Sequence, residues 1–206
     1  MMEKKIAVLL CLIFLGLMFP VAVTADTAEE SYKKGLAAAK NQDWETAEHE
    51  YEKAAGQGHL YAQKALAMLY LCYFDEGAVK WMRMAAQQQD SDAQLALADL
   101  LAHGGCDGTV RDYEEAMRWY RQAAKSGNGI HQAGACAEIA AMYEYGLGVA
   151  QDLVAAHMWY DLASKMVEDD KVRQGFAWKE TDVVSERDRL ARKLSPEQIE
   201  RSRQMQ

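Results

Sequence analysis

The sequence predicts an all-α protein: a solenoid of about four helix-turn-helix repeats closed by a C-terminal capping helical segment. Two observations carry that expectation. The first is a nine-residue phrase that returns with its apolar frame intact, AMRWYRQAA at 116–124, AHMWYDLAS at 156–164, AVKWMRMAA at 78–86 and a weaker copy, AEHEYEKAA, at 47–55. Its Ala, Trp, Tyr and Ala fall at i, i+3, i+4 and i+7, which is one face of an α-helix. The second is an earlier partner phrase, AQKALAMLY at 62–70, AQLALADLL at 93–101 and ACAEIAAMY at 135–143, whose apolar residues fall at i, i+4, i+7 and i+8. Each repeat is therefore a helix A, a turn and a helix B, and a pair used four times predicts a stack.

The turns between the pairs carry helix-end chemistry. Asp43, Asp112 and Asp152 each stand four residues ahead of the first Ala of a helix B, where a carboxylate can accept the free amides of a helix start; Asp75 is near but out of register. Gly146 and Gly148 can end the fourth helix A with positive φ, and Gly56-Gln57-Gly58 and Lys125-Ser126-Gly127 punctuate the ends of helix B. Inserted stretches at His103–Val110 and Gly127–Gly134 read as loops. Val183, Arg187, Leu190 and Leu194 lie on one stripe of a tail helix spanning 176–194, and Ser195-Pro196-Glu197-Gln198 is a helix start with Ser as cap and Pro at the first position.

The first 25 residues differ from the rest. Lys4 and Lys5 precede an almost wholly apolar run, Ile6 to Phe19, and Val23-Thr24-Ala25 ends in small residues, the layout of a secretory signal peptide cut after Ala25. The apolar run is shorter than the roughly 20 residues of a membrane span, so no span is expected after cleavage. Removing residues 1–25 takes out Lys4, Lys5 and Glu3, leaving 21 basic against 30 acidic residues and a net charge of −9. A chain so acidic, without a basic run, is a poor match for nucleic acid or anionic membrane. Export would place the protein in the periplasm or outside the cell.

With D112-Y-E-E-A-M-R-W-Y-R-Q-A-A-K-S-G and Y143-E-Y-G-L-G-V-A-Q-D-L-V-A-A-H-M-W-Y-D-L-A on the page, the chain resembles the Sel1-like repeat family, a relative of the tetratricopeptide repeat. The resemblance covers about residues 28–167, with repeats near 28–57, 60–89, 92–127 and 134–167 and the cap at 170–206. It implies a right-handed α-solenoid and the role of an interaction scaffold, often in bacterial envelope or secreted proteins. A structural subunit of an envelope machine, such as a flagellar motor or secretion apparatus, is the alternative the resemblance leaves open. A cell-wall or lactam hydrolase is a further one.

No catalytic, cofactor or metal set emerges. Ser31-Tyr32-Lys33-Lys34 fits Ser-x-x-Lys, but Ser-Asp-Asn and Lys-Thr-Gly are absent, and Ser31 reads as a solvent-facing residue at or just before the start of the first helix. The five histidines lack paired i, i+4 spacing, and His103 with Cys106 and Asp107 makes a poor metal site. Trp81, Trp119 and Trp159 recur at one register place and are expected in the core. Most of Met68, Met82, Met84, Met117, Met142 and Met158 are expected to fill gaps there as well. Cys72 and Cys106 fall at the same end of adjacent A helices and are expected to pair, with Cys136 left as a buried thiol. The binding wall is expected on the A-helix residues outside the buried frame: Tyr61, Lys64, Met68, Leu71, Leu95, Asp99, His103, Glu138, Glu144 and Tyr145. Their mixture suits a protein or peptide with apolar anchors and some basic character.

Overall fold

The computed structural model describes residues 27–73, 77–104, 110–126, 129–167 and 180–205. Among the described residues there are ten helices and no strand. In chain order they are α1 (Ala28–Lys40), α2 (Trp44–Gly56), α3 (Leu60–Tyr73), α4 (Gly77–Gln87), α5 (Ser91–His103), α6 (Tyr113–Ser126), α7 (Gly129–Tyr145), α8 (Leu153–Val167), α9 (Glu180–Ala191) and α10 (Pro196–Gln204). Helices α1, α3, α5 and α7 are the A helices and α2, α4, α6 and α8 the B helices. Each packs on its own partner and on the next pair, while α9 and α10 pack on α8 as the cap.

The repeated phrase explains the packing. Its alanines, Ala47, Ala54, Ala78, Ala85, Ala116, Ala123, Ala156 and Ala163, are all inaccessible, and so is the large residue between them: Tyr51, Met82, Tyr120 or Tyr160. Small residues let the helices approach closely, and the ring or thioether fills the space left between them. Trp81, Trp119 and Trp159 are half-buried and pack against the same core, as the periodicity requires. Leu66, Leu97 and Ile139, at the i+4 place of each A phrase, are fully buried. Gly35 is dictated by contact, since a Cβ there would lie 2.6 Å from the Tyr51 ring.

The caps fall where the turns predict them. Asp43 accepts from the Thr46 amide (3.2 Å), Asp112 from Glu115 (2.8 Å) and Asp152 from Val154 and Ala155 (2.9 and 3.0 Å). Each of these aspartates also donates its own amide back to its helix A, to Ala38, Leu101 and Tyr143 respectively. Gly146 and Gly148 both have φ +67°. Asp90 caps α5 through the Ala93 amide, and Thr27 forms a capping box with Glu30 at α1.

Between repeats runs a polar ladder that the apolar frame does not reveal. Gln63 donates to the Ala55 carbonyl at the end of α2 (3.1 Å), Gln94 to Ala86 at the end of α4 (3.4 Å) and Gln132 to Ala124 at the end of α6 (2.9 Å). The amide oxygens of Gln63 and Gln94 in turn accept from Gln88 (2.8 Å) and Ser126 (3.0 Å), past or at the end of the following helix B.

The cap joins α8 through side chains distant in sequence. Val183 and Leu190 are buried, and Ser195 with Gln198 forms the expected capping box. Arg189 reaches Glu144 at 2.5 Å and also pairs with Glu186, and His157 Nδ1 meets Ser202 Oγ at 2.9 Å. Cys136 is a free thiol in the core, pushed up to about 12 by burial and so inert toward oxidants.

Four expectations need correction. Within the expected loop Gly127–Gly134, Gly129 onward is helix: α7 begins there and carries Gly134 buried inside it, while residues 127 and 128 lie outside the described residues. The alanine- and glycine-rich residues that follow continue the helix with no competing side chain. Ser31 is not on the surface: it lies within α1, fully buried, and its hydroxyl has no hydrogen-bond partner among the described residues. Met68 is not core but 64% exposed, and Glu144 is not on an open wall but 4% exposed beneath Arg189. The expected Cys72–Cys106 bridge, Asp75, the 1–25 signal segment and the start of the tail helix lie wholly or partly outside the described residues.

Candidate functional site

Successive A helices leave space between their outward residues, and three adjoining pockets fill it. The largest, about 470 Å³, lies between α3 and α5 and is lined by Lys64, Met68, Leu71, Asp92, Asp99 and His103, with Ala96, Leu100 and Met82 beneath. A second, about 330 Å³, lies between α5 and α7 and takes in His103, Arg111, Tyr113, Glu138, Met142, Tyr145 and Leu147. His103 lines both. A third, about 210 Å³, shares Met68 with the first and adds Trp44, Tyr51 and Leu69. The result is one groove along the A-helix face, apolar for most of its lining.

The residues that build it follow helical spacing. Lys64, Met68 and Leu71 are i, i+4 and i+7 on α3; Asp92, Ala96, Asp99 and His103 are i, i+4, i+7 and i+11 on α5; Glu138, Met142 and Tyr145 are i, i+4 and i+7 on α7. These stripes are the complement of the buried alanine stripes on the same helices. Of the expected wall, Lys64, Met68, Leu71, Asp99, His103, Glu138 and Tyr145 are brought together. Tyr61 stands apart, in a ring cluster with Tyr32 and His59 (centroids 6.3 and 6.1 Å) at the junction of the first two repeats. Leu95 turns to the flank and packs on the core, and Glu144 belongs to the cap joint. Asp92, Leu100, Arg111, Tyr113 and Leu147 were not anticipated; the i−4 relation of Asp92 to Ala96 was the available signal for the first of them.

The charges in the groove are unequally matched. Lys64 bonds Asp90 at 3.0 Å and also pairs with Asp92. Burial works against its charge, but the two carboxylates outweigh it and hold the ammonium above its ordinary value. Arg111 donates to the His103 carbonyl (3.1 Å) and reaches the Tyr113 hydroxyl (3.5 Å). Asp99 accepts from the Tyr120 hydroxyl at 2.7 Å; burial raises its carboxyl, and that hydrogen bond only partly offsets it. Glu138, on the neighbouring helix, is pushed up to about 7, chiefly by burial and then by the Asp99 charge. No Lys or Arg among the described residues lies within ion-pair distance of either carboxylate.

Stacked helical pairs with a groove along one set of helices define the class: an α-solenoid built from short repeats. Residues 74–90, 91–128 and 133–166 match the Sel1 repeat, and the chain is a Sel1-repeat protein. It is 38% identical over 97 residues to protein sel-1 homolog 2 of Rattus norvegicus, a match that spans 47% of this chain and 13% of that one. The chain therefore corresponds to a small part of that relative. Solved structures share its fold, two of them closely enough in sequence to compare. One is a protective antigen of uropathogenic Escherichia coli strains displaying an SLR fold, with TM-score 0.61 and 27% identity over 85% of this chain and 36% of the other. The second is a Sel1 repeat protein from Oxalobacter formigenes, with TM-score 0.58 and 27% identity over 86% of this chain and 74% of the other.

Proposed function

We propose that the protein is an exported, periplasmic binding scaffold that holds a segment of another polypeptide in the groove along its A-helix face. The observation that carries this is the groove itself: adjoining pockets with apolar floors, flanked by Met68 and Tyr145, each 64% exposed, whereas the alanines of the repeated B-helix phrase are fully buried. Large apolar side chains left in water beside a cleft mark contact surfaces. Sel1 repeats in the chain favour the same role over turnover, and the groove offers carboxylates and apolar side chains rather than a nucleophile with its base. Export rests on the charged start, apolar run and small residues of the first 25 positions; amino-terminal sequencing of protein recovered from cells should begin at Asp26, and an uncut chain in the cytoplasm would refute it.

A photoreactive phenylalanine analogue at Met68 or Tyr145 tests the groove. Both positions are expected to crosslink a discrete polypeptide in cells, whereas Arg118, exposed on helix α6, should not. Equal crosslinking from all three positions, or none from the groove, would remove this assignment.

A further inference from the structure

Resting on that assignment, we infer that Asp99 and Glu138 together seat one lysine or arginine side chain of the bound polypeptide, with apolar neighbours of that residue filling the pockets on either side. The two carboxylates come from successive A helices and line adjoining pockets that meet at His103. Both are partly withdrawn from water, and the Asp99 charge adds to the cost of charging Glu138. Partly buried carboxylates without a cation are expensive to keep. Here the nearby lysine and arginine are committed elsewhere, Lys64 to Asp90 and Asp92, Arg111 to the His103 carbonyl and Tyr113, which leaves the His103 ring as the one titratable cation that attracts both carboxylates. The one strong donor to the pair is the neutral Tyr120 hydroxyl.

An incoming ammonium or guanidinium would meet two carboxylates in a partly dehydrated site, where charge-assisted hydrogen bonds are stronger than in open water. An acidic segment would be repelled, and a neutral one would leave the pair uncompensated. Beside the pair, Met68, Leu71 and Leu100 on one side and Met142, Leu147 and Tyr145 on the other supply apolar contact. A metal is a weaker match, because no group of three His, Cys, Asp or Glu side chains suited to an ion occurs among the described residues.

The seat should also respond to protons. The groups facing it are Asp99 and His103 on α5, Tyr120 and Tyr113 on α6, Glu138 and Tyr145 on α7, and Arg111 ahead of α6. A cation binds the charged pair and must displace the Glu138 proton at acid pH, so affinity should fall about 30-fold from pH 8.0 to pH 5.5 if the protonated form does not bind.

The test uses the purified chain and labelled dodecapeptide pools with a fixed central Lys, Arg, Gln, Glu or Leu, the other positions drawn from Ala, Leu, Met and Ser. Fluorescence anisotropy at pH 8.0 should give the Lys and Arg pools about tenfold tighter binding than the Gln pool, the margin of a charge-assisted contact. Glu138→Gln and Asp99→Asn, each checked for native helical circular dichroism, should erase that preference, and Glu138→Gln should flatten the pH profile. Equal binding by all pools, with Met68→Glu weakening every one, would overturn the cation seat and leave the groove standing. A pH slope that survives Glu138→Gln but vanishes in His103→Gln would overturn it as well. Binding by no pool would count against both the seat and the groove.

Discussion

Replacing Glu138 with glutamine should stabilise the fold at pH 8 and do almost nothing at pH 4.5. In the folded chain this carboxyl is raised from the ordinary 4.5 to about 7, by burial first and by Asp99 second. A raised acid holds its proton more tightly when folded than when unfolded, so between those two values the folded state carries more protons. Stability contributed by this group therefore falls as pH rises through that window and stays low above it. At about 1.36 kcal/mol per pH unit of separation the full effect is about 3 kcal/mol, and the partial solvent access of the side chain lowers it to about 1–2 kcal/mol. Urea unfolding followed by circular dichroism at 222 nm, run on both proteins from pH 4.5 to 8, measures it. His157, buried against Ser202 and held below its ordinary value by burial, contributes the opposite slope near neutrality, and the difference between the two proteins at each pH cancels it. A difference that does not grow with pH would refute the assignment of Glu138 as a desolvated carboxyl.

Other perturbations have equally definite outcomes. Tyr120→Phe removes the 2.7 Å bond to Asp99 from a fully buried ring and should cost about 1–2 kcal/mol, read from the urea midpoint. Arg189→Ala leaves Glu144 buried with neither oxygen bonded, since one already lacks a partner, and should cost about 2–4 kcal/mol; Arg189→Ala with Glu144→Leu should recover most of it. Gly148→Ala forces a side chain into φ +67° with its Cβ 2.6 Å from that of Tyr113, and should lower the thermal midpoint by several degrees, a loss of about 1–3 kcal/mol.

The helical pairs were legible because close packing leaves so few solutions. Ala116, Tyr120 and Ala123 can occupy their shared face only as a helix, and four copies of the pattern fix the stack. The B-helix caps were legible for a local reason: an aspartate such as Asp112 acts on amides two or three residues away. The groove was legible in part by subtraction, since residues such as Met68 and Glu138 lie off the alanine stripe. Glu144 defeated that subtraction because its burial depends on Arg189, 45 residues later, in a helix whose docking no periodicity records. Leu95 failed more narrowly, its place on the flank of α5 turning it toward the core while Ala96 and Asp92 face the pocket. Ser31 looked like an ordinary polar residue, and only the α1 packing takes its hydroxyl out of water.

The glutamine ladder makes the stack a row of coupled joints rather than four independent hairpins. Gln63, Gln94 and Gln132 each tie one repeat to the last carbonyls of the repeat before it, and the first two also receive a bond from the repeat's own closing end. In a linear array, cooperativity is set by the strength of such nearest-neighbour links. Severing the middle one with Gln94→Leu removes one of the two hydrogen bonds to the Ala86 carbonyl, which keeps that from the Gln89 amide, and weakens a single joint by about 1 kcal/mol. The two halves should then melt in separate steps, and the long pocket between α3 and α5, which spans that same joint, would lose its fixed width before either half unfolds.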